Sequence, residues 1–409
     1  MSVYQSAHRK VLISGASIAG PALAYWLTRY GFEVTVVEKA SAIRGGGYPI
    51  DIRGTALDVV DRMGLLPRLR EAHVDIRKLS FLDTDGSLIA SVNPETFSGG
   101  TEGLDLEVRR GDLADALYDL VHGQVEFLFN DSIATLDDRG DRVEVTFDSG
   151  THRAFDVVIG TDGLHSNTRR LVFGPEERFH RYLGHAFAGF TLPNDFGLGR
   201  EGVIWSSPGR SAVLYSHGLG DRVHGFLSFR QETPPFHAFR APEAQRDLVA
   251  AMFPERVWHI PRLVTAMREA DDLFFDVVSQ IHMPTWAQGR VALAGDAAHA
   301  PSFVSGQGSS IALVGAYVLA GELAGHSDHA EAFAAYERKA RPFVERNQAL
   351  ATSGSTFVTP GTQETLDRRN EALRDPAGLK RTDRQAAYTG MTLPEYGDAE
   401  QRATRPAGA

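Results

Sequence analysis

Near its start the chain carries a short run of consecutive apolar residues. Lys10-Val11-Leu12-Ile13-Ser14 is brief and β-branched, the pattern of a strand buried on both faces. A turn follows at Gly15-Ala16-Ser17-Ile18-Ala19-Gly20. Pro21 to Tyr30 then sets Leu23, Ala24 and Leu27 at helical spacing, and Gly31 closes that helix. Glu33 to Glu38 is a second apolar strand, ending in an acid. Together they predict a β-α-β unit of about 30 residues, the size of a dinucleotide half-fold.

The period then changes. Residues 78–92 predict a hairpin around Asp85-Gly86, and Leu113 to Val121 a helix. Val125–Phe129, Val143–Phe147 and Phe155–Ile159 read as strands, with turns at Gly140-Asp141 and Ser149-Gly150. From about residue 182 to 232 apolar and polar positions alternate and aromatics are frequent. Gly202–Trp205, Ala212–Tyr215 and His224–Phe229 predict an antiparallel sheet there. Residues 242–270 read as helical. The buried-strand signature returns at Arg290–Ala294, and Ala330–Ala349 reads as a helix. Beyond about 370 the chain is polar and weakly patterned, and its last ten residues are expected to fray.

This order predicts an α/β fold in which a β-rich lobe is inserted into a nucleotide-binding lobe. The nucleotide-binding lobe takes residues 1–75, 104–175 and 282–355. The inserted substrate lobe takes 76–103 and 176–281, and 356–409 forms a C-terminal helix and polar tail. The length of 409 residues suits two or more lobes.

Composition narrows the chemistry. Hydrophobic residues at 43% and charged residues at 23% are those of an ordinary globular protein. A net charge of −10 without any dense Lys/Arg run argues against a nucleic-acid groove. The absence of cysteine (0 residues) removes disulfides, thiolate metal ligands and a redox-active Cys pair, so redox chemistry must come from a cofactor. Met1 to Lys10 has no signal-peptide core, and no apolar run approaches the about 20 residues of a membrane span. A cytoplasmic monomer or weak dimer is the expectation.

Four passages carry candidate chemistry. The Gly15 turn has Ser17 where a dinucleotide fingerprint usually has glycine, and Glu38 at the next strand end can accept from ribose hydroxyls. Gly45-Gly46-Gly47 suits a flat ring lying against main chain, or a plain loop. The strand Val157–Gly160 runs into Asp162-Gly163, with Ser166 and Arg169 beyond. Val291-Ala292-Leu293-Ala294 runs into Gly295-Asp296, where ligands collect in open α/β sheets. Gly306-Gln307-Gly308-Ser309 then opens an apolar helix whose stripe includes Ile311, Val314, Val318 and Leu319. Its free amides would favour the negative charge of a reduced flavin. A ligand gripped at both the early turn and the late Gly-Asp is longer than NAD, which points to FAD. His299 reads as structural. No metal-ligand spacing and no Gly-x-Ser-x-Gly elbow with supporting context is found.

In this order the motifs resemble those of the class A flavoprotein monooxygenases, the para-hydroxybenzoate hydroxylase fold. The likeness covers residues 11 to about 350. Within that family the chain is most similar to the tetracycline-inactivating monooxygenases and related actinobacterial hydroxylases of antibiotic pathways. The resemblance implies a Rossmann-like FAD-binding domain of the glutathione-reductase type, an inserted β-rich substrate domain and C-terminal helices. It implies FAD held by Gly15, Ser17, Ile18 and Ala19 of the turn, by Glu38, Lys39, Arg44, Asp51, Arg109, Asp162 and Asp296, and by Gly306, Gln307, Gly308 and Ser309. NADPH or NADH would be the reductant, and an aromatic or polyketide-like small molecule would be hydroxylated through a C4a-hydroperoxyflavin. One departure stands out: Phe303 occupies the position near the flavin edge where the family usually has proline. A flavin-dependent reductase on the same fold, and a non-catalytic flavin- or ligand-binding protein, are the alternatives. No Trp-x-Trp-x-Ile-Pro segment supports a halogenase. Phe187, Phe190, Trp205, Tyr215, Phe226 and Phe229 are candidate pocket aromatics, of which alternation allows only some to face a ligand.

Overall fold

The buried apolar strands pair with one another at the centre of the molecule. The computed structural model describes residues 9–43, 45, 47–94, 105–216, 220–235, 238, 241–351, 357–375 and 384–397. Arg44, Gly46 and residues 398–409, which include the ten expected to fray, lie outside the described residues, as do 95–103 of the expected substrate lobe.

The elements begin with β1 (Lys10–Ser14), α1 (Ala19–Arg29), β2 (Glu33–Glu38), β3 (Pro49–Ile52), α2 (Thr55–Arg62), α3 (Leu66–Glu71), β4 (Lys78–Leu82), β5 (Leu88–Val92), β6 (Leu106–Arg109) and α4 (Arg110–Val121). They continue with β7 (Glu126–Phe129), β8 (Ile133–Asp138), β9 (Val143–Phe147), β10 (His152–Phe155), β11 (Val157–Gly160), α5 (Asn167–Phe173), β12 (His180–Pro193), β13 (Glu201–Ser207), β14 (Arg210–Tyr215) and β15 (Arg222–Arg230). Then come α6 (Pro242–Met252), α7 (Ile260–Glu269), β16 (Phe274–Ile281), β17 (Ala287–Gln288), β18 (Val291–Leu293), α8 (Asp296–His299), α9 (Gly308–Gly325), α10 (His329–Ala349), α11 (Gln363–Arg374) and α12 (Gln385–Tyr388).

A six-stranded sheet runs β17-β18-β11-β1-β2-β7, parallel throughout except at the short β17 edge. Parallel strands are covered on both faces, which is why Val11, Leu12 and Ile13 form an unbroken apolar run and are fully buried. Ser14 stands opposite both Val37 and Gly160, so the carboxyl ends of β1, β2 and β11 reach one edge together.

The second large sheet has the order β16-β12-β15-β14-β13-β4-β5 and is antiparallel except where β4 meets β13. Helices α6 and α7 cover one face. Alternation sorts the aromatics between the two faces: Phe190, Trp205 and Phe229 enter the core beneath those helices, whereas Phe187, Tyr215 and Phe226 gather on the other face. Two small sheets, β10-β9-β8 and β3-β6, complete the fold.

Four readings of the sequence are corrected. Phe155–Ile159 is not one strand: the chain changes sheets at Asp156, whose N–H donates to the Lys10 carbonyl at 2.9 Å. Residues 242–270 are two helices, because Pro254 disfavours a helical Phe253 before it. Helix α9 has no single apolar stripe. Its 18 residues, with a mean hydropathy of 1.3, are long and apolar enough to cross a membrane, yet 83% of it is buried. It is packed among α1, α2 and α10, so every face is apolar. Finally, the weakly patterned segment 384–397 packs on the nucleotide lobe. The Thr55 hydroxyl donates to the Met391 carbonyl (2.8 Å) and the Tyr317 hydroxyl to that of Pro394 (2.7 Å), while Tyr388 and Leu393 are buried.

Candidate functional site

The Gly-rich turn lies where three parallel strands end. Gly15 N–H donates to the Val37 carbonyl (2.8 Å) and Thr161 N–H to that of Ser14 (2.8 Å). A Cβ at Gly20 would stand 1.9 Å from the Gly15 carbonyl oxygen, so only glycine lets α1 start flush against the turn. Helix α1 opens with no side-chain cap and no acid in its first turn, leaving its leading N–H groups open to an anion. Ile18 and Ala19 are buried at that start. Glu38 is held at the mouth of the turn, accepting from the Ala16 and Ala40 amides, each at 2.9 Å. Lys39 beside it is exposed.

Ser17 is engaged rather than a passive replacement for glycine. Its hydroxyl accepts from the Arg110 guanidinium at 2.8 Å. The two arginines at the start of α4 part there. Arg109, in extended backbone (φ −63°, ψ 139°), turns back to Asp112 through two hydrogen bonds of 2.8 Å. Arg110, the first helical residue, leaves in another direction and crosses to the turn. The arginine that reaches the Gly-rich turn is therefore Arg110, one position beyond the Arg109 expected to hold a cofactor.

Arg110 also bears on Asp296 and Tyr48. Asp296 is exposed to solvent, yet the surrounding protein pushes its carboxyl up to about 6, with Arg110 pulling the other way. Solvent contact combined with such desolvation describes the floor of a deep, open crevice. Gly308 is adjacent: a Cβ there would lie 3.8 Å from Asp296 Oδ1. Asp51 closes the same end, and a Cβ on Gly306 (φ +67°) would come within 2.7 Å of its Oδ2. The crevice thus gathers Ser17, Arg110, Asp296, Asp51 and the Gly306–Gly308 backbone.

Asp162 does not stand free. It accepts from the Ser166 hydroxyl, and from the Thr168 N–H (2.8 Å) and hydroxyl (3.0 Å). The fully buried Arg169 donates to the carbonyls of Ala297 (2.9 Å) and Leu164 (2.6 Å) and to Glu176 (2.7 Å). This passage ties α5 to α8 and shapes the crevice wall. His165 between them bridges Glu176 (2.8 Å) and Asp276 of β16 (3.2 Å), which together hold its imidazolium up to about 9 against the opposing effect of burial. His299 is a core residue, packed 4.5 Å from the Trp286 ring and within 3.2 Å of the Tyr336 hydroxyl.

Phe303 stacks on Phe187 with ring centroids 4.7 Å apart and 20° between planes. Phe226 lies 5.9 Å from Phe303, and Tyr48 meets it edge-on at 5.5 Å. Phe274 joins Tyr48 at 5.9 Å. Phe303 and Phe274 remain 45% and 38% exposed, so this aromatic wall is open on one side. Before it, Ser302 takes a positive φ of +85°, a strained conformation for serine. Gln307, fully buried at the start of α9, leaves its Oε1 without a partner.

The donor set suits a long dinucleotide. A guanidinium and an uncapped helix start could hold a pyrophosphate, Glu38 and Asp296 can accept from hydroxyls, and the Gly306–Gly308 backbone at the start of α9 could border a ring. Among the described residues no group of three His, Asp or Glu side chains could hold a metal ion. A separate open groove of about 530 Å³ runs between β17 and α10; of its two arginines, Arg338 and Arg341, the latter is paired with Glu337 and Glu345. The sequence reading missed Arg110, Tyr48 and the pairing of His165 with Asp276. An Arg-Arg pair at a helix start was visible, but which member turns inward depends on the backbone exit.

The chain is similar to known proteins in sequence and fold. Residues 240–351 match the family model described as an FAD binding domain. The chain is 45% identical over 362 residues to an uncharacterized protein of Mycobacterium tuberculosis, covering 88% of this chain and 97% of that one. It is 36% identical over 391 residues to a flavin-dependent monooxygenase of an unknown prokaryotic organism, covering 95% and 99%. Among solved structures it superposes on the tetracycline destructase Tet(55) with a TM-score of 0.82 and 34% identity, over 95% of this chain and 99% of that one.

Proposed function

The chain belongs to the flavin-dependent monooxygenases, and on that premise we propose that it oxygenates a planar, electron-rich aromatic or polyketide-like molecule, using FAD and NADPH or NADH. The observation that carries the substrate class is the open aromatic wall of Phe187, Phe226, Phe274 and Phe303 beside the crevice floor. Stacked rings with one exposed side accept a flat ring at low conformational cost.

When bound, FAD supplies the redox chemistry, taking reducing equivalents from the nicotinamide and activating dioxygen for insertion of one oxygen atom. The protein's own groups bind and orient. Arg110 and the start of α1 balance the pyrophosphate charge, and Ser17 keeps Arg110 aimed there. Glu38 would accept from the adenosine ribose hydroxyls and Asp296 would hold the ribityl or pyrophosphate part in the middle of the extended cofactor. Asp51 and the Gly306–Ser309 backbone would border the ring. Phe303 completes the wall by stacking on Phe187 and leaves a face open for a flat ligand. Asp162 acts by fixing the loop before α5, and Arg109 by bracing α4.

Reconstitution tests this reading. Protein loaded with FAD should be yellow, NADPH or NADH should bleach it, and an effective aromatic ligand should accelerate both nicotinamide oxidation and oxygen uptake. Tetracycline belongs in the panel, because Tet(55) is named a tetracycline destructase. Protein that takes up no FAD would end the proposal. Turnover of substrate without oxygen would favour a reductase instead.

A further inference from the structure

The strand pair β3–β6 sets two carboxylates side by side. Asp51 stands directly opposite Glu107 in the register, so both leave the same face. Ile52, Leu106 and Val108 fill the buried core on the other face. Asp51 and Glu107 therefore face the crevice, where Asp51 lies against Gly306. Arg53 is committed to Asp51 (2.7 Å) and to Asp105 (3.5 Å). The Glu107 carboxyl has no hydrogen bond or ion pair among the described residues.

A second group from the opposite lobe points to the same volume. The Tyr215 hydroxyl on β14 is buried, with 7% of the residue exposed, and has no hydrogen-bond partner. Its ring is stacked between His224 (5.0 Å) and Phe226 (6.0 Å), which holds it in place. Tyr48, which precedes β3, meets Phe226 edge-on at 5.8 Å, so the Tyr215 stack abuts the β3 end of the crevice; Glu107 and Tyr48, after burial itself, both disfavour ionisation of Tyr215. Phe226 continues directly into the aromatic wall through Phe303. A buried hydroxyl and an unpaired carboxyl beside stacked rings are costly unless a ligand pairs with them.

We propose that Glu107 and Tyr215 form the polar end of the substrate crevice, where they hold the acidic hydroxyl of a phenol or enol and Glu107 takes its proton. The substrate O–H bond breaks and an O–H bond forms on the Glu107 carboxylate. The electron pair stays on the substrate oxygen, to which the Tyr215 hydroxyl donates. The inference rests on the monooxygenase reading, because the resulting phenolate is the electron-rich form an oxygenating enzyme attacks. Burial, then the neighbouring Asp51, push the Glu107 carboxyl up to about 8, with Arg53 opposing. That brings it closer to a phenol than an ordinary carboxylate is, as proton transfer requires.

The test uses FAD-loaded protein, 2-naphthol and its methyl ether, followed by calorimetry and by difference absorbance across the pH range. Wild-type protein should bind the naphthol more tightly as the pH rises through about 8, where Glu107 gives up its own proton and can accept from the naphthol hydroxyl. Glu107→Gln should keep its FAD but bind the naphthol without that pH dependence. Tyr215→Phe should bind the naphthol about tenfold more weakly, with the methyl ether nearly unaffected. The inference is overturned if Glu107→Gln titrates like wild type, if the ether binds as tightly as the naphthol, or if the naphthol does not bind FAD-loaded protein. Should Glu107→Gln fail to fold, Tyr215→Phe decides by the same comparison of ligands. Failure of the monooxygenase reading looks different: wild-type protein would take up no FAD.

Discussion

Arg109 and Arg110 are chemically identical neighbours with opposite tasks, one turned to Asp112 and one to Ser17. Arg110→Ala should weaken FAD binding by about tenfold or more, because a charge-assisted contact is lost, while Arg109→Ala should change it by less than about threefold. Titration of flavin fluorescence separates the two, and equal losses would mean that the cofactor does not pass Arg110. Phe303 makes a second residue-scale prediction. Half-exposed, it contributes mainly ring contacts, so Phe303→Ala should cost at most about 1.5 kcal/mol of stability. The same change should weaken binding of flat aromatic ligands markedly, measured by calorimetry on FAD-loaded protein. The residue types at the site were legible in sequence; their directions were not. Asp162 shows why. A strand-end Asp-Gly is recognisable, but that its carboxylate is already taken by Ser166 and Thr168 follows from how α5 begins.

Elements were legible wherever their period was strong. β1, β2 and the 78–92 hairpin appear where the pattern placed them, and alternation divides the six candidate aromatics evenly between core and crevice. The segment 384–397 carried no period because it uses isolated side chains rather than a repeating face. Tyr388 is buried against Gly54, whereas Glu395, 83% exposed, reaches Arg62 from the surface. Tyr388→Ala should therefore cost about 3–5 kcal/mol, as for other large buried aromatics, and Glu395→Ala less than about 1 kcal/mol. Urea unfolding measures both. A small loss at Tyr388 would show that this segment is only laid on the surface.

At the scale of the molecule, His165 and Asp276 link the loop after β11 to the seven-stranded sheet. The imidazolium is held up to about 9, above the ordinary value of 6.5 that it has in the unfolded chain. The folded state then binds the extra proton between those values. The stabilisation is complete below about 6.5 and is lost as the pH rises through about 9. Since His165 is 44% exposed, its contribution is screened to about 0.5–1 kcal/mol. His165→Gln should flatten that part of the stability-versus-pH curve. His299 works in the other direction. Burial lowers it to about 3, so it resists protonation in the core, and stability should fall as the pH drops below about 6.5.

The sequence by itself determined the architecture and the cofactor class. An apolar run ending in a tight glycine turn has few alternatives to a parallel strand meeting a helix, and two such turns far apart require a long ligand. Only the tertiary structure decided which side chains meet. Asp51 and Glu107 lie side by side because β3 and β6 pair in one register, and Phe226, stacked on Tyr215, meets Tyr48 beside β3 from the other large sheet. Such meetings depend on pairing register and on the exit angle of each backbone, which a linear pattern of apolar and polar residues does not record.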